Sequence, residues 1–218
     1  MTNTAKKRVA VLISGRGSNM QALVNASRAP GYPAEISTVI SNRPDAAGLK
    51  WAAEQGIATV ALDHKAFADR AAFDASLNQA LIAANVDFVV LAGFMRLMTA
   101  PLVEQWQGRM INIHPSLLPL FPGLDTHARA IEAGMKIAGC TVHFVTPEMD
   151  VGPIIAQAAV PIAPNDTADA LAERILTVEH QIYPQALAWL ATAAVTFDAA
   201  RTAVYGVVGA HDQLLVPR

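Results

Sequence analysis

The chain has 218 residues, of which 53% are hydrophobic and 16% are charged, and its formal net charge is −2. A chain of this length can bury most of its apolar surface without disulfides or metals. The weak net charge excludes the basic surface of a nucleic-acid-binding protein and favours small-molecule partners. The apolar runs, such as residues 9–13 and 88–92, are far shorter than the ~20 residues of a membrane-spanning helix. The single cysteine and the lack of a visible targeting signal predict a cytoplasmic protein without a membrane partner.

The first half of the chain alternates short β-branched runs with longer alanine-rich stretches. In the first predicted helix, Met20, Leu23, Val24 and Ser27 fall on one face. Nearly continuous apolar strands separated by helices are typical of a doubly wound, mainly parallel α/β sheet covered on both faces. We predict strands at residues 8–14, 35–41, 59–62, 87–92 and 109–114, and helices at 19–29, 44–55, 67–84 and 99–106.

The pattern changes after residue 114. Residues 117–125 contain two prolines and a glycine, which predict a long ordered loop. An antiparallel strand pair is expected at 138–146 and 154–162, followed by a long helix that a capping signal at 166–169 opens. Pro184 is expected to kink or break this helix because it lacks an N–H group, and residues 195–216 are predicted to form short strands. No linker separates a second unit, so we predict one domain, 1–218, with halves 1–114 and 115–218.

A glycine-rich loop, Ser14-Gly-Arg-Gly-Ser-Asn19, follows the first strand and opens the first helix. Exposed N–H groups and the helix dipole make such a loop a phosphate site, although a tight turn could use the same glycines for packing alone. A dinucleotide fingerprint would require a third glycine and an acidic residue at the end of the second strand. Neither is present. We therefore expect the first half to bind a phosphate on a small ligand.

Asn112 and His114 are two residues apart in the last predicted strand of the first half, so their side chains share one face. They lie at the carboxyl end of the strand, where ligands bind in parallel sheets. A self-satisfied polar pair in the core is the alternative. The flanking Pro115-Ser-Leu-Leu-Pro119 predicts a rigid loop, and Asp150 lies in a turn from which its carboxylate could reach His114.

The segment 111–123 resembles the signature of the phosphoribosylglycinamide formyltransferases, the folate-dependent enzymes of purine biosynthesis. The resemblance extends through residues 11–19, 91–98, 142–153 and 178–184. Asn-x-His alone is shared across the wider formyltransferase fold. The motifs His-Pro-Ser-Leu-Leu-Pro, Gly-Arg-Gly-Ser-Asn and Glu-His-x-Ile-Tyr-Pro are more specific. The resemblance implies the formyltransferase fold and transfer of a formyl group from 10-formyltetrahydrofolate, as co-substrate, to the amino group of glycinamide ribonucleotide.

The resemblance also implies roles for individual residues. The catalytic trio would be Asn112, His114 and Asp150. Glycinamide ribonucleotide would bind at a phosphate loop and at one turn of the long helix, which comprise Gly17, Ser18, Asn19, Leu176, Thr177, Val178 and Glu179. The folate would lie against residues of both halves, namely Arg70, Met95, Arg96, Leu97, Met98, Asn112, Thr146, Pro147, Glu148, Met149 and Asp150. The protein is expected to be a monomer or a homodimer.

Four positions depart from residues common in the family: Asp125, Ala138, Pro147 and Val151. None belongs to the trio, although the last two could alter the flexibility of the folate loop. The six histidines show no zinc-ligand spacing, which predicts no metal. His127 and His143 are each interpreted as satisfied polar residues that could line the site.

Three other functions are possible. Methionyl-tRNA formyltransferase is expected to carry a further C-terminal domain and a basic surface for RNA. Formyltetrahydrofolate hydrolase is expected to carry an N-terminal regulatory domain. A non-catalytic phosphosugar-binding module would use the glycine loop but would have no use for Asn112, His114 and Asp150 together. The transferase reading accounts for both the loop and the trio.

Overall fold

A computed structural model of the chain describes residues 5–198 and the backbone of 204–205. In the first half the elements are β1 (Lys7–Ile13), α1 (Ser18–Ser27), β2 (Ala34–Ser41), α2 (Ala47–Glu54), β3 (Ala58–Ala61), a 3-10 helix (His64–Ala66), α3 (Arg70–Ala83), β4 (Phe88–Leu91), α4 (Ala100–Gln105) and β5 (Met110–His114). In the second half they are α5 (Thr126–Glu132), β6 (Ile137–Phe144), β7 (Ile154–Pro161), α6 (Ala168–Ala191), β8 (Val195–Thr196) and β9 (Val204–Tyr205).

Seven strands form one mixed sheet in the order β3-β2-β1-β4-β5-β6-β7. The pairs β1–β2, β1–β4 and β2–β3 are parallel, whereas β6 and β7 are antiparallel. Val9–Ile13 of β1 are fully buried, as expected for a strand covered on both faces. The predicted α/β fold, with a mainly parallel sheet and an antiparallel C-terminal part, is confirmed.

The chain divides into two compact units, Met1–Ile111 (the N-terminal unit) and Asn112–Arg218 (the C-terminal unit). In the N-terminal unit, α1 buries Met20, Leu23, Val24 and Ser27, which are the residues that its periodicity placed on one face. In the C-terminal unit, the long helix α6 buries Tyr183 and the strand β6 buries Phe144. Within the described residues, no helix combines the length and apolar character required to cross a bilayer. A single domain with halves at residue 114 stays a prediction.

Three local features differ from what the sequence led us to expect. The helix predicted at 67–84 begins at Arg70, because the Asp69 side chain accepts a hydrogen bond from the Ala72 N–H at 2.8 Å and caps it. The helix α5 was not predicted at all. Pro184 does not break α6, which continues to Ala191. Burial of Pro184 with its neighbours Tyr183 and Leu187 offsets the missing hydrogen bond.

The predicted C-terminal strands are confirmed in part. Val195–Thr196 and Val204–Tyr205 form a two-stranded antiparallel sheet. The other predicted strand positions, from 206 to 216, lie outside the described residues.

Candidate active site

The carboxyl end of β5 presents Asn112 and His114. Alternation along the strand places Ile111 and Ile113 on the opposite face, where both are buried in the core. His114 is 6% exposed and Asn112 is half-buried. Two polar side chains at this depth require hydrogen-bond partners, and the partners identify the rest of the cluster.

His114 lies between a backbone carbonyl and a carboxylate. Its Nε2 lies 3.0 Å from the Phe121 carbonyl oxygen, and its Nδ1 lies 3.5 Å from Oδ2 of Asp150. Asp150 sits in the left-handed backbone region, with φ 58°, and its Oδ2 accepts a hydrogen bond from the Gly123 N–H at 2.9 Å. The Asp150 side chain is 9% exposed. The turn therefore brings the carboxylate within ion-pair distance of the His114 ring.

His143 on β6 completes this buried cluster. Its Nδ1 donates to the Phe144 carbonyl oxygen at 2.9 Å, which leaves Nε2 to accept from Nδ2 of Asn112 at 3.2 Å. Burial lowers the pKa of His143, so the neutral ring is favoured. The same Nε2 lies 3.8 Å from Oδ1 of Asp150. His143 thus orients the Asn112 amide. The second N–H of that amide takes no part in this contact.

The glycine loop leads from β1 into the first turn of α1. Gly17 is the N-cap of α1 with φ 74°, and a Cβ there would lie 2.8 Å from the Met20 Cε. The left-handed backbone favours glycine, and a side chain at this position would require the buried Met20 methyl group to shift. The helix begins at Ser18 and has no acidic residue in its first turn. Its N-cap residue makes no side-chain hydrogen bond to the first N–H groups. Ser18 is half-buried and Asn19 is buried.

The segment after β4 is held at both ends by side chains. The Met95 N–H donates to Ser14 Oγ at 2.8 Å, and the Thr99 N–H donates to Asp74 Oδ2 at 2.6 Å. Between these anchors, Met95 is 73% and Leu97 53% exposed, while Met98 is half-buried. This segment presents apolar side chains from a fixed backbone, which is what a flat aromatic ligand requires.

Two arginines flank that segment. The Arg96 guanidinium stacks over Phe73, 4.6 Å from the ring centroid. Arg70, the first residue of α3, is exposed.

The turn between β6 and β7 carries the remaining folate candidates. Thr146 is half-buried, with its hydroxyl donating to the Glu148 carbonyl oxygen at 3.1 Å. Pro147 and Glu148 are exposed, and Met149 is 51% exposed. A Cβ at Gly152 would lie 1.8 Å from the Phe144 carbonyl oxygen, so the chain can pass there only as glycine.

The candidates Leu176, Thr177, Val178 and Glu179 form one turn in the middle of α6. Val178 and Glu179 are buried, Leu176 is half-buried and Thr177 is exposed. Glu179 is only 6% exposed, which is unusual for a charged residue.

A model of one protein family, described as formyl transferase, matches residues 7–187. The chain belongs to this family. It is 53% identical over 192 residues to the "Trifunctional purine biosynthetic protein adenosine-3" of Drosophila melanogaster, a match that covers 87% of this chain and 14% of that protein. It is 46% identical over 183 residues to the "Phosphoribosylglycinamide formyltransferase" of Escherichia coli (strain K12), which covers 84% of this chain and 86% of that protein.

Solved structures agree with this assignment. The crystal structure of glycinamide ribonucleotide transformylase 1 from Symbiobacterium toebii superposes with a TM-score of 0.88 at 46% identity, over 92% of this chain and 94% of that chain. The formyl transferase chain thus spans only about one-seventh of the length of the fly relative but most of the single-function bacterial one.

Within this formyl transferase, the four departures lie at different kinds of position. Pro147 and Val151 are exposed, with Val151 at 56%. Asp125 is the N-cap of α5 with φ 56°, a backbone region that aspartate tolerates better than most residues. Ala138 is buried in β6. Among the described residues, none of the four is hydrogen-bonded or ion-paired to Asn112, His114 or Asp150.

Sequence reasoning underestimated His143. It treated this histidine as a satisfied polar residue, but the ring contacts Asn112 and approaches Asp150. Thr141 and His143 alternate on one face of β6, and that pattern was the available signal. His127 is half-buried, and burial is the main cause that lowers its pKa. Among the described residues, no three His, Cys, Asp or Glu side chains are grouped as a metal site. Metal independence stays a prediction.

Proposed function

We propose that this chain transfers the formyl group of 10-formyltetrahydrofolate to the amino group of glycinamide ribonucleotide in de novo purine biosynthesis. The observation that carries the proposal is the buried cluster of Asn112, His114, His143 and Asp150 at the end of β5. The names of the bacterial relatives support the acceptor. We further propose that the protein is cytoplasmic, binds two small-molecule substrates and needs no metal. Its proposed oligomeric state is a monomer or a homodimer.

The reaction requires stabilisation of a negative charge. The acceptor amine attacks the formyl carbon, the carbonyl oxygen becomes an oxyanion, and the carbon–N10 bond then breaks. The Asn112 amide donates one N–H to His143 and keeps the other for this oxyanion. A donor fixed before the charge develops has no reorganisation cost, and losing one such donor typically slows turnover ~10²–10³-fold.

A proton must also move from the attacking amine to the departing N10. His114 and Asp150, with Nδ1 and Oδ2 3.5 Å apart, supply a route for it. The Nε2 of His114 donates to the Phe121 carbonyl oxygen in the structure. For His114 to become the second oxyanion donor, this bond must be exchanged for one to the substrate. The loop that carries Phe121 would have to change conformation for this exchange. Phe121 has a strained backbone with φ 53°, which lowers the free-energy cost of leaving the present conformation.

The substrates would be held by groups of different kinds. The first N–H groups of α1, together with Gly17, Ser18 and Asn19, would bind the ribonucleotide phosphate. The turn Leu176, Thr177, Val178 and Glu179 would bind its ribose, since a buried carboxylate can accept from two hydroxyls. The folate would contact apolar and backbone groups, namely Arg70, Met95, Arg96, Leu97, Met98, Asn112, Thr146, Pro147, Glu148, Met149 and Asp150.

One experiment tests this proposal. Purified protein is mixed with 10-formyltetrahydrofolate, and the absorbance of the deformylated folate is followed with and without glycinamide ribonucleotide. Deformylation that depends on the ribonucleotide supports the transferase. Deformylation without it identifies a hydrolase, and no deformylation under either condition identifies a non-catalytic binding module.

A further inference from the structure

Thr141, on β6, holds the start of the loop that follows His114. Its hydroxyl donates to the Ser116 carbonyl oxygen at 2.7 Å and accepts from the Leu118 N–H at 3.0 Å. Ser116 and Leu118 are the second and fourth residues after His114. Thr141 is fully buried, so water does not compete for these hydrogen bonds. One side chain therefore fixes the backbone of the loop at two points.

Gln157, on β7, holds the same part of the loop. It lies directly opposite Thr141 in the antiparallel pair of β6 and β7. Its amide Nε2 donates to the Leu118 carbonyl oxygen at 2.9 Å and to Thr141 Oγ1 at 3.0 Å. A hydroxyl has one donor and two acceptor positions, and all three positions of the Thr141 hydroxyl are used. We call Thr141 and Gln157 the loop clamp.

The loop clamp is continuous with the hydrogen bonds that reach the His114 ring. The Ser116 N–H donates to the His114 carbonyl oxygen at 2.9 Å, and Ser116 Oγ donates to the Leu120 carbonyl oxygen at 2.6 Å. The next carbonyl oxygen along the chain, that of Phe121, lies 3.0 Å from Nε2 of His114. A displacement of the loop at Ser116 would therefore move both the end of β5 and the acceptor that orients the ring.

The loop clamp does not contact the trio itself. Among the described residues, neither Thr141 nor Gln157 is hydrogen-bonded or ion-paired to Asn112, His114 or Asp150. Any effect of the clamp on the reaction must therefore pass through the loop. The alternative is a purely structural role, in which the clamp only satisfies the polar backbone groups of a buried loop.

We propose that Thr141 and Gln157 are positioning residues, which promote formyl transfer by holding the loop that orients His114. This inference rests on the proposed function, in which His114 acts on the reacting groups. A misplacement of about 1 Å in such a group can slow turnover ~10²-fold. The clamp holds residues 116–118, so the exchange of hydrogen bonds proposed at Phe121 leaves the end of β5 in place.

The first test removes the hydroxyl of Thr141. We expect Thr141→Val to lower kcat roughly ten-fold while KM for both substrates stays nearly unchanged, because the clamp acts on His114 and not on binding. Thr141→Ser keeps the hydroxyl and should restore most of kcat. Gln157→Met removes the amide donors but leaves the Thr141 hydroxyl, so kcat should fall roughly three-fold.

Thr126→Val is the matched control for this comparison. It removes a buried hydroxyl from the same unit, and that hydroxyl has no hydrogen-bond partner in the described part of the chain. Its kcat should stay close to that of the wild type. A rise in KM without a fall in kcat, or equal falls in kcat for Thr141→Val and Thr126→Val, would overturn the proposal.

A double-mutant cycle separates positioning from a purely structural role. Thr141→Val is introduced into the His114→Ala variant, and kcat is compared among the wild type, the two single variants and the double variant. If the clamp acts through His114, Thr141→Val has no further effect in that background. A similar fall in kcat in both backgrounds would show that the clamp does not act through His114.

NMR of the histidine rings tests the clamp without substrates. The ring N–H signal of His114 is assigned by its absence from the His114→Ala spectrum. We expect this proton to exchange with water faster in Thr141→Val than in the wild type or in Thr126→Val, because the Phe121 carbonyl is no longer held in place. Equal exchange in all three would overturn the proposal. If Thr141→Val does not fold, Gln157→Met takes its place in each comparison.

The NMR measurement also keeps the two proposals apart. If the wild type transfers no formyl group, the proposed function fails, while the exchange rate of the His114 ring proton still decides whether the clamp holds the ring.

Discussion

The two units of this chain differ in how exposed their candidate functional groups are. In the N-terminal unit, the glycine loop and the segment after β4 present backbone groups and exposed side chains such as Met95. In the C-terminal unit, His114, His143 and Asp150 are buried and hydrogen-bonded or ion-paired within their own cluster. Exposed groups on a fixed backbone suit ligand binding. Buried groups that orient one another suit chemistry, because their geometry is set before the substrate arrives.

The sharpest test of this contrast is His114→Ala. We expect kcat to fall ~10²–10³-fold with little change in KM for the folate, because the cluster acts on the reaction rather than on binding. Steady-state kinetics with both substrates measures the two parameters. His127→Ala is the matched control, since this histidine is half-buried in the same unit and, among the described residues, has no hydrogen bond to the trio. Near-normal turnover of His114→Ala would contradict the assignment.

The corresponding test in the N-terminal unit is Gly17→Ala. A Cβ would clash with Met20 and force alanine into a left-handed conformation, so KM for glycinamide ribonucleotide should rise roughly ten-fold. The free energy of unfolding should also fall by roughly 1–2 kcal/mol. Gly56→Ala controls for the backbone strain, because Gly56 has φ 76° but open space around it. If both variants raise KM equally, the loop is a packing turn and not a phosphate site.

A smaller effect is expected from Ser14→Ala. This change removes the acceptor of the Met95 N–H and loosens the segment proposed to bind the folate. We expect KM for the folate to rise roughly three-fold while kcat is retained, as fits the loss of about one hydrogen bond. Ser37→Ala is the control, because its hydroxyl also bonds to a backbone group of the same unit, at Val9. A fall in kcat alone would show that Ser14 supports the reaction and not the binding of the folate.

The smallest effect concerns the pH dependence of stability. Burial keeps the folded pKa of His143 below its unfolded value of about 6.5, so the unfolded state takes up a proton first as the pH falls. Stability is therefore fully present above about pH 6.5 and is lost as the pH falls towards the folded pKa. His143→Gln keeps an acceptor for Asn112 but cannot titrate. Denaturant unfolding should show a shallower loss with acid, by at most ~1.4 kcal/mol per pH unit.

His127 and His180 are the background in that measurement. Burial lowers the pKa of each, so both contribute acid destabilisation that remains in the His143→Gln variant. An unchanged slope in the variant would mean that His143 is not held neutral in the folded protein.

Local sequence patterns determined the strands, one helix face and the orientation of the polar pair. The apolar runs predicted the central strands, periodicity predicted the buried face of α1, and alternation placed Asn112 and His114 on one side of β5. Hydrophobic burial at a regular spacing is a local property, so it can be read without the fold. The start of α3 was missed because it depends on one capping contact of Asp69.

Tertiary structure decided what those side chains contact. Asp150 is 36 residues from His114 and His143 is 31 residues from Asn112, yet both complete the same cluster. No periodicity encodes a contact across that separation, because it depends on the turn at Asp150 and on strand placement. The sequence by itself determined the fold class, the glycine loop and the polar pair on β5. The contact of His143 with Asn112 was decided only by the tertiary structure, because it depends on the placement of β6 beside β5.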